Sequence, residues 1–178
     1  MIWHSISAER IKPDDFLAVI EIPKGSKNKY ELDKESGYLI LDRVLYTSTH
    51  YPANYGFIPR THTEDYDPLD VLVMCSEPIV PMAMVRCYPI GVITMIDSGE
   101  LDCKILAVPF EDPSFREYKD IEDIPPHLIE EYTHFFTVYK SLEGKKTAVM
   151  KVGNAEEAKD IIKQSIVDYK KIFYPGRE

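Results

Sequence analysis

The sequence predicts an α+β fold that is mainly β and is built on a closed or nearly closed barrel. Apolar runs of strand length follow one another between residues 71 and 108, separated by turns containing Pro or Gly and with no helical pattern between them. The last third of the chain changes to the apolar spacing of helices. Consecutive strands without intervening helices favour a barrel over a layered α/β sheet.

The first predicted elements are a strand and a hairpin. Residues 16–23 are rich in Leu, Val and Ile, contain Glu21 near their end, and run into turn-forming Pro-Lys-Gly-Ser. In the next run, the alternation of an extended chain places Lys29 and Glu31 on one face. A Ser-Gly turn then leads into residues 38–44, which we interpret as the second arm of a hairpin.

Residues 49–59 are predicted to be irregular. Tyr51 and Tyr55 stand four positions apart, with Pro and Gly nearby. Such a segment can pack the aromatic rings and leave the hydroxyls as hydrogen-bond donors. The alternative, that both are ordinary core aromatics, stays open at this point.

The middle of the chain carries polar residues at the ends of its predicted strands. A turn beginning at Asp97 separates two of these strands, and Asp102 follows it. Because side chains alternate along a strand, Asp102 and Lys104 are expected on the same face. The four strands in question are predicted at residues 71–74, 84–88, 91–96 and 101–108.

Two helices and one further strand are predicted in the last third. Apolar residues recur at helical spacing after Pro126 and continue toward Gly144, and residues 147–152 read as a strand. Asn154 followed by Glu157 resembles a capping box at the start of a C-terminal helix. The expected inner face of that helix consists of Ala158, Ile161, Ile162, Ile166, Tyr169 and Phe173.

Composition excludes several classes of protein. The 178 residues suit one domain, and the formal net charge of −9 disfavours a nucleic-acid partner, which needs a basic surface. Cys75, Cys87 and Cys103 show neither zinc spacing nor a disulfide framework and read as buried thiols. The start lacks signal-peptide features and no run reaches the roughly 18 to 20 apolar residues of a membrane span, so a cytoplasmic location without a membrane partner is expected.

Four carboxylates precede the strand predicted at residues 71–74, beginning at Glu64 and including Asp65, Asp67 and Asp70. Like charges this close together repel unless a cation compensates them. With no His or Cys among them, the cluster suits Mg²⁺, Mn²⁺ or Ca²⁺. A solvated acidic turn is the alternative, whereas an EF-hand loop fits poorly because Asp70 stands where that loop needs Gly.

Together these residues resemble the family I soluble inorganic pyrophosphatases over most of the chain. The resemblance implies an OB-like five-stranded barrel with flanking helices that hydrolyses pyrophosphate to two orthophosphates with Mg²⁺. Compact members of the family usually form hexamers, so a homohexamer is expected. The motifs that carry the resemblance are Glu21-Ile22-Pro23, Lys29-Tyr30-Glu31, Arg43, Tyr51 to Gly56, Asp65-x-Asp67-Pro68-x-Asp70, Pro89-Ile90-Gly91, Asp97, Asp102-x-Lys104 and Tyr139-Lys140.

The resemblance also implies roles for individual residues. Asp67 is the expected general base, and Asp70 is expected to serve two metals. The metal ligands it implies are Asp65, Asp70 and Asp102 for the tightest ion, Asp97 with Asp102 for an ion arriving with substrate, and Glu31 close to another. Expected phosphate contacts are Lys29, Arg43, Tyr55, Lys104, Tyr139 and Lys140, with Glu21 and Tyr51 in support.

One departure from the family pattern is visible at Tyr66, where many members carry Gly. The expected ligands are kept, but a tyrosine at positive φ would carry a steric cost.

Two rival functions remain open at this stage. The chain could be an OB-type oligonucleotide-binding module or a catalytically silent divalent-metal-binding protein. The predicted barrel mouth is acidic, which disfavours the first. An ion buffer has no use for basic residues such as Lys29 and Lys104 near the acids, which disfavours the second.

Overall fold

The computed structural model describes residues 1–176. The protein is built around a ring of five strands in which one neighbouring pair is parallel and the others are antiparallel. The ring runs β2-β5-β6-β8-β7 and closes because β7 also pairs with β2. The predicted fold class, an α+β barrel that is mainly β, is confirmed. The strands are β1 Ile11–Lys12, β2 Asp15–Ile22, β3 Asn28–Leu32, β4 Leu39–Val44, β5 Asn54–Phe57, β6 Asp70–Val73, β7 Met84–Asp97, β8 Glu100–Pro109 and β9 Thr147–Asn154.

Three α-helices accompany the ring in the described part of the chain, residues 1–176. They are α1 Ile2–Ser5, α2 Pro126–Val138 and α3 Ala155–Phe173. Helix α2 buries Tyr132, Phe135 and Phe136 in the larger core cluster, and α3 packs Ala158 and Ile162 against the other side of the barrel. Within residues 1–176, no helix combines the length and apolar character that crossing a bilayer requires.

Strand β5 corrects the prediction that residues 49–59 are wholly irregular. It lies between β2 and β6 and pairs with both. A Cβ atom on Gly56 would lie 1.8 Å from the Val19 carbonyl oxygen, so the two strands approach each other as closely as they do because position 56 has no side chain. A Gly that reads as a turn signal in the sequence is here a packing requirement of the ring.

The two strands predicted at residues 84–88 and 91–96 are one strand, β7. Its pairing register with β8 shifts between Pro89 and Gly91. Proline has no N–H for the ladder, and a bulge accommodates it without ending the strand. β7 is therefore long enough to pair with β2, β8 and β9.

Helix α3 begins at the predicted N-cap, but its capping box is incomplete and its last residue, Phe173, is not buried. Asn154 is the N-cap, and its Oδ1 accepts from the Glu157 N–H at 3.0 Å. The Glu157 carboxylate binds Lys151 at 2.6 Å, so only half of the capping box forms. Phe173, expected on the inner face, is 38% exposed and packs its edge on the Trp3 ring at 5.3 Å between centroids.

Candidate active site

One end of the ring opens into a cavity of about 530 Å³ whose wall is rich in charged residues. Most of the residues singled out in the sequence are brought together here. The acidic residues on its wall are Glu21, Glu31, Asp33, Asp65, Asp67, Asp70, Asp97 and Asp102, and the lysines and tyrosines are Lys29, Lys34, Lys104, Lys140, Tyr30, Tyr55 and Tyr139. Arg43 and Tyr51 do not line the cavity in this conformation.

Lys104 is the centre of the site. Parallel pairing of β6 with β8 sets Lys104 opposite Asp70. Its side chain is 2% exposed, and Nζ donates to Asp70 Oδ2 at 2.7 Å, Asp102 Oδ2 at 3.0 Å and the Tyr55 hydroxyl at 3.0 Å. Burial opposes the charged form, but the two carboxylates and the tyrosine hold the pKa of Lys104 well above its usual value.

Asp102 shows the effect of burial on the acidic side of this cluster. Burial raises the pKa of Asp102, the Lys104 ammonium lowers it, and the nearby Asp70 carboxylate raises it again, so the net shift is upward. The predicted shared face of Asp102 and Lys104 is confirmed by their 3.0 Å ion pair. A cation is thus the feature that lets two carboxylates remain side by side in a desolvated place.

Asp97 is held at the other side of the cavity. It ends β7, and the Ser98-Gly99 turn into β8 has positive φ at both positions, 53° and 90°, which is typical of a tight hairpin. The Lys140 ammonium forms an ion pair with Asp97, and the Tyr139 hydroxyl donates to it at 3.3 Å. Burial raises the pKa of Asp97, but the hydrogen bond and charge of Lys140 and a hydrogen bond from Ser98 outweigh it, so the pKa lies below its usual value.

The β3–β4 hairpin supplies the remaining basic groups. Lys29 pairs with Glu31, as the alternation predicted, and lies 3.7 Å from Asp42. Arg43 is drawn to Asp42 and to Glu143, whose Oε1 lies 2.7 Å from Arg43 Nε. Arg43 therefore engages carboxylates beside the cavity and does not reach into it.

Of the two tyrosines in residues 49–59, one is a core aromatic and the other directs its hydroxyl into the cavity. Tyr51 is 2% exposed and packs on the rings of Tyr55 and Phe135 at centroid distances of 5.2 and 4.8 Å, as a core aromatic does. The Tyr55 hydroxyl instead donates to Asp70 Oδ2 at 2.5 Å within the cavity. Tyr51 fixes the ring whose hydroxyl reaches the site.

The acidic loop, residues 63–69, is held by its own backbone and by Thr63. Thr63 N–H donates to the Asp67 carbonyl at 2.9 Å, and Thr63 Oγ1 donates to Asp65 Oδ1 at 2.5 Å. Asp67 N–H donates to Asp65 Oδ1 at 3.2 Å, so Asp65 organises the turn. Tyr66 has φ +65°, the strained conformation that the sequence departure implied.

The donor set of the cavity fits a hard divalent cation by its chemistry. All of its candidate ligands are carboxylates, and Asp70, Asp97 and Asp102 stand on strands. Oxygen-only sites suit Mg²⁺ and Mn²⁺. In the conformation described for residues 1–176, no three His, Cys, Asp or Glu side chains are gathered at metal-binding spacing, and Asp70 and Asp102 each form an ion pair with Lys104.

Four charged residues in or beside the cavity were not singled out in the sequence, and two of them, Asp33 and Lys34, lie on the cavity wall. Lys34 forms an ion pair with Asp67, while Asp42 and Glu143 bind Arg43. Glu143 follows α2 and its side chain is 7% exposed. No local sequence pattern indicates Glu143, because its partner Arg43 lies 100 residues earlier in the chain.

Comparison with known proteins identifies relatives along nearly the whole chain. The profile of a family described as inorganic pyrophosphatase matches residues 18–170. Soluble inorganic pyrophosphatase 2 of Chlamydomonas reinhardtii is 47% identical over 175 residues, which is 98% of this chain and 91% of that protein. The soluble inorganic pyrophosphatase of Oryza sativa subsp. indica is 50% identical over 164 residues, 92% of this chain and 77% of its own.

Solved structures agree with the sequence relatives. The inorganic pyrophosphatase of Thermus thermophilus superposes with a TM-score of 0.91 at 37% identity, covering 96% of this chain and 99% of the other. The Helicobacter pylori enzyme gives 0.89 at 39% identity, with 94% and 99% covered.

Proposed function

This chain belongs to the inorganic pyrophosphatase family, and from that premise we propose how its acidic cavity hydrolyses pyrophosphate to two orthophosphates. The observation that carries the proposal is the meeting of eight carboxylates and four lysines on one cavity wall. Carboxylates can hold divalent ions, and lysines can neutralise the oxygens of a highly charged anion. Both are needed to bring a water molecule to an electrophilic phosphorus that is surrounded by negatively charged oxygens.

The proposed metal ligands are the carboxylates that the sequence singled out. Asp65, Asp70 and Asp102 would hold the tightest Mg²⁺, with Asp97 and Glu31 serving ions that arrive with the substrate. Mn²⁺ or another divalent ion could take the same oxygen ligands. When bound, the metal supplies a coordinated water of lowered pKa and charge neutralisation of the phosphate oxygens.

Asp67 is the proposed general base. It stands at the cavity edge, three residues before the Asp70 that begins β6, so its backbone is anchored to the ring. Its side chain is half exposed, which leaves it accessible to water. It would accept the proton of the attacking water while the neighbouring carboxylates serve as ligands.

Six residues are proposed to contact phosphate oxygens. Lysines act as point charges and arginine can bind two oxygens at once. Arg43 would do so by leaving one of its two carboxylate partners. The six are Lys29, Arg43, Tyr55, Lys104, Tyr139 and Lys140.

Glu21 and Tyr51 are proposed to hold other parts of the site in place without contacting the substrate. Glu21 Oε1 accepts from the Leu32 N–H at 2.8 Å, which ties the β3–β4 hairpin to β2. Tyr51 packs against the Tyr55 ring.

Phosphate release from pyrophosphate, measured with Mg²⁺ and with EDTA, tests the proposed metal requirement. We expect release that depends on Mg²⁺. Release unaffected by EDTA would refute the metal role. An OB-type binder or a silent metal-binding protein would release no phosphate under either condition, and single-stranded DNA binding that weakens with salt would point to the former.

Three further proposals concern the whole chain. We infer one pyrophosphatase domain over residues 1–178, a homohexamer, and a cytoplasmic location, the last supported by relatives that are named soluble. Light scattering tests the assembly, since a hexamer has six times the 20.5 kDa mass of the chain. A monomer peak at micromolar concentration would contradict it.

A further inference from the structure

Lys34 joins two parts of the cavity wall that are distant in sequence. It lies in the turn between β3 and β4, and its ammonium forms an ion pair with Asp67 Oδ1. The same Nζ donates to the Tyr66 carbonyl at 3.2 Å and lies 5.6 Å from the centre of the Trp3 ring. Lys34 thus contacts both the proposed general base and the backbone of the preceding residue.

The turn that carries Lys34 is well ordered by hydrogen bonds. Asp33 N–H donates to the Tyr38 carbonyl, and Gly37 N–H donates to the Asp33 carbonyl, both at 2.8 Å. The Asp33 carboxylate accepts from the Ser36 N–H at 3.0 Å, and Gly37 takes a φ of +77° that suits glycine. Lys34 is therefore presented from a turn that is fixed by hydrogen bonds.

The contacts of Asp67 differ between its backbone and its side chain. Thr63 and Asp65 bind the Asp67 backbone, and neither binds its carboxylate. Within residues 1–176, Lys34 is the ion-pair partner of that carboxylate. Both side chains are about half exposed, so the pair adds little to stability.

We propose that Lys34 is a positioning residue, which holds the Asp67 carboxylate and the strained Tyr66 peptide in the orientation that proton abstraction requires. The inference rests on the proposed role of Asp67 as general base. A general base works only within hydrogen-bond reach of its proton, and small misplacements cost large factors in rate. Lys34 acts through Asp67, so its loss affects turnover more than substrate binding.

The test is a double-mutant cycle with Lys34→Met and Asp67→Asn, measured by steady-state phosphate release. Lys34→Met is expected to lower kcat by about 10-fold with KM for pyrophosphate nearly unchanged. Lys34→Arg keeps the charge and should recover most of kcat. In the Asp67→Asn background, Lys34→Met should cause no further loss, because the group it positions is gone.

Two controls separate this role from general effects. Lys163→Met changes the net charge equally at an exposed position of α3 and should leave kcat unchanged. Thermal unfolding of Lys34→Met should match wild type, since the residue sits in an exposed turn.

Each contrary result has a distinct meaning. Wild-type kcat in Lys34→Met, with Asp67→Asn inactive, overturns the positioning role and leaves the proposed general base intact. A rise in KM alone overturns it in favour of direct substrate binding by Lys34. An active Asp67→Asn enzyme removes the general base itself, and the inference falls with it.

Discussion

At the scale of single residues, the main feature of the site is that two carboxylates, Asp70 and Asp102, share one lysine as their counterion. Lys104 is almost fully buried, yet it stays charged because Asp70 and Asp102 face it. In the proposed site, a divalent ion would neutralise the same carboxylates as the lysine does. The stability of the site and its proposed metal binding would then depend on the same electrostatic interactions.

Removing the Lys104 charge is expected to change both the stability of the protein and its response to Mg²⁺. Lys104→Met leaves Asp70 and Asp102 without their buried cation, so the free energy of unfolding in EDTA should fall by about 3 kcal/mol. Mg²⁺ should then stabilise the variant more than it stabilises wild type, since it restores the missing charge. Chemical denaturation with and without Mg²⁺ measures both effects, and an equal Mg²⁺ response in the two proteins would contradict the shared-counterion account.

Glu21 makes a pH-dependent contribution to stability. Burial raises its pKa from 4.5 to about 8, partly offset by the Leu32 N–H bond. Between those values the unfolded chain loses its proton while the folded protein keeps it, so this contribution to stability is full below about pH 4.5 and is lost as pH rises toward 8.

Glu21→Gln should remove that loss while keeping an oxygen for the Leu32 N–H. Its free energy of unfolding relative to wild type should increase with pH, by at most about 1.4 kcal/mol per unit between pH 5 and pH 8. Urea denaturation in EDTA at several pH values provides the measurement. A constant difference across that range would show that Glu21 is not a buried, protonated acid.

At the scale of elements, the site depends on how closely the strands of the ring approach. β5 carries Tyr55 into the cavity only because Gly56 lets it lie against β2. The β3–β4 hairpin, a separate two-stranded sheet, brings Lys29, Glu31 and Lys34 over the same opening. The ring fixes some of the groups on the cavity wall, and the hairpin supplies others.

Gly56→Ala is expected to disturb the ring itself. The added Cβ would overlap the Val19 carbonyl, so β2 and β5 must separate and their ladder must distort. We expect a loss of more than about 3 kcal/mol in the free energy of unfolding. Gly144→Ala is the control: it has open space around its Cβ and should cost only about 1 kcal/mol for its positive φ. Equal effects of the two substitutions would refute the close-approach argument.

At the scale of the whole molecule, ring closure makes one site from distant segments. β6 runs parallel to β8, which puts Asp70 beside Lys104, while the β7–β8 hairpin places Asp97 at its tip. Helix α2 then delivers Tyr139 and Lys140 to Asp97. The fold gathers acids that are up to 81 positions apart, from Glu21 to Asp102, on one cavity wall.

Local periodicity in the sequence predicts some of the side-chain pairs in the cavity. Strand alternation paired Lys29 with Glu31 and Asp102 with Lys104, because neighbours two residues apart share a face whatever the tertiary fold. β5 was missed because Gly56 in a strand and in a turn look alike without the neighbouring strand. The contact of Lys34 with Asp67 depends on how the hairpin sits against the ring, which no local pattern encodes.

The most direct measurement of the central claim combines Mg²⁺ titration and turnover on one Asp67→Asn preparation. If the other carboxylates of the cavity hold the metal and Asp67 accepts the proton, this variant should bind Mg²⁺ nearly as wild type does and lose about 10²-fold or more in kcat. Undiminished phosphate release by Asp67→Asn would contradict the account.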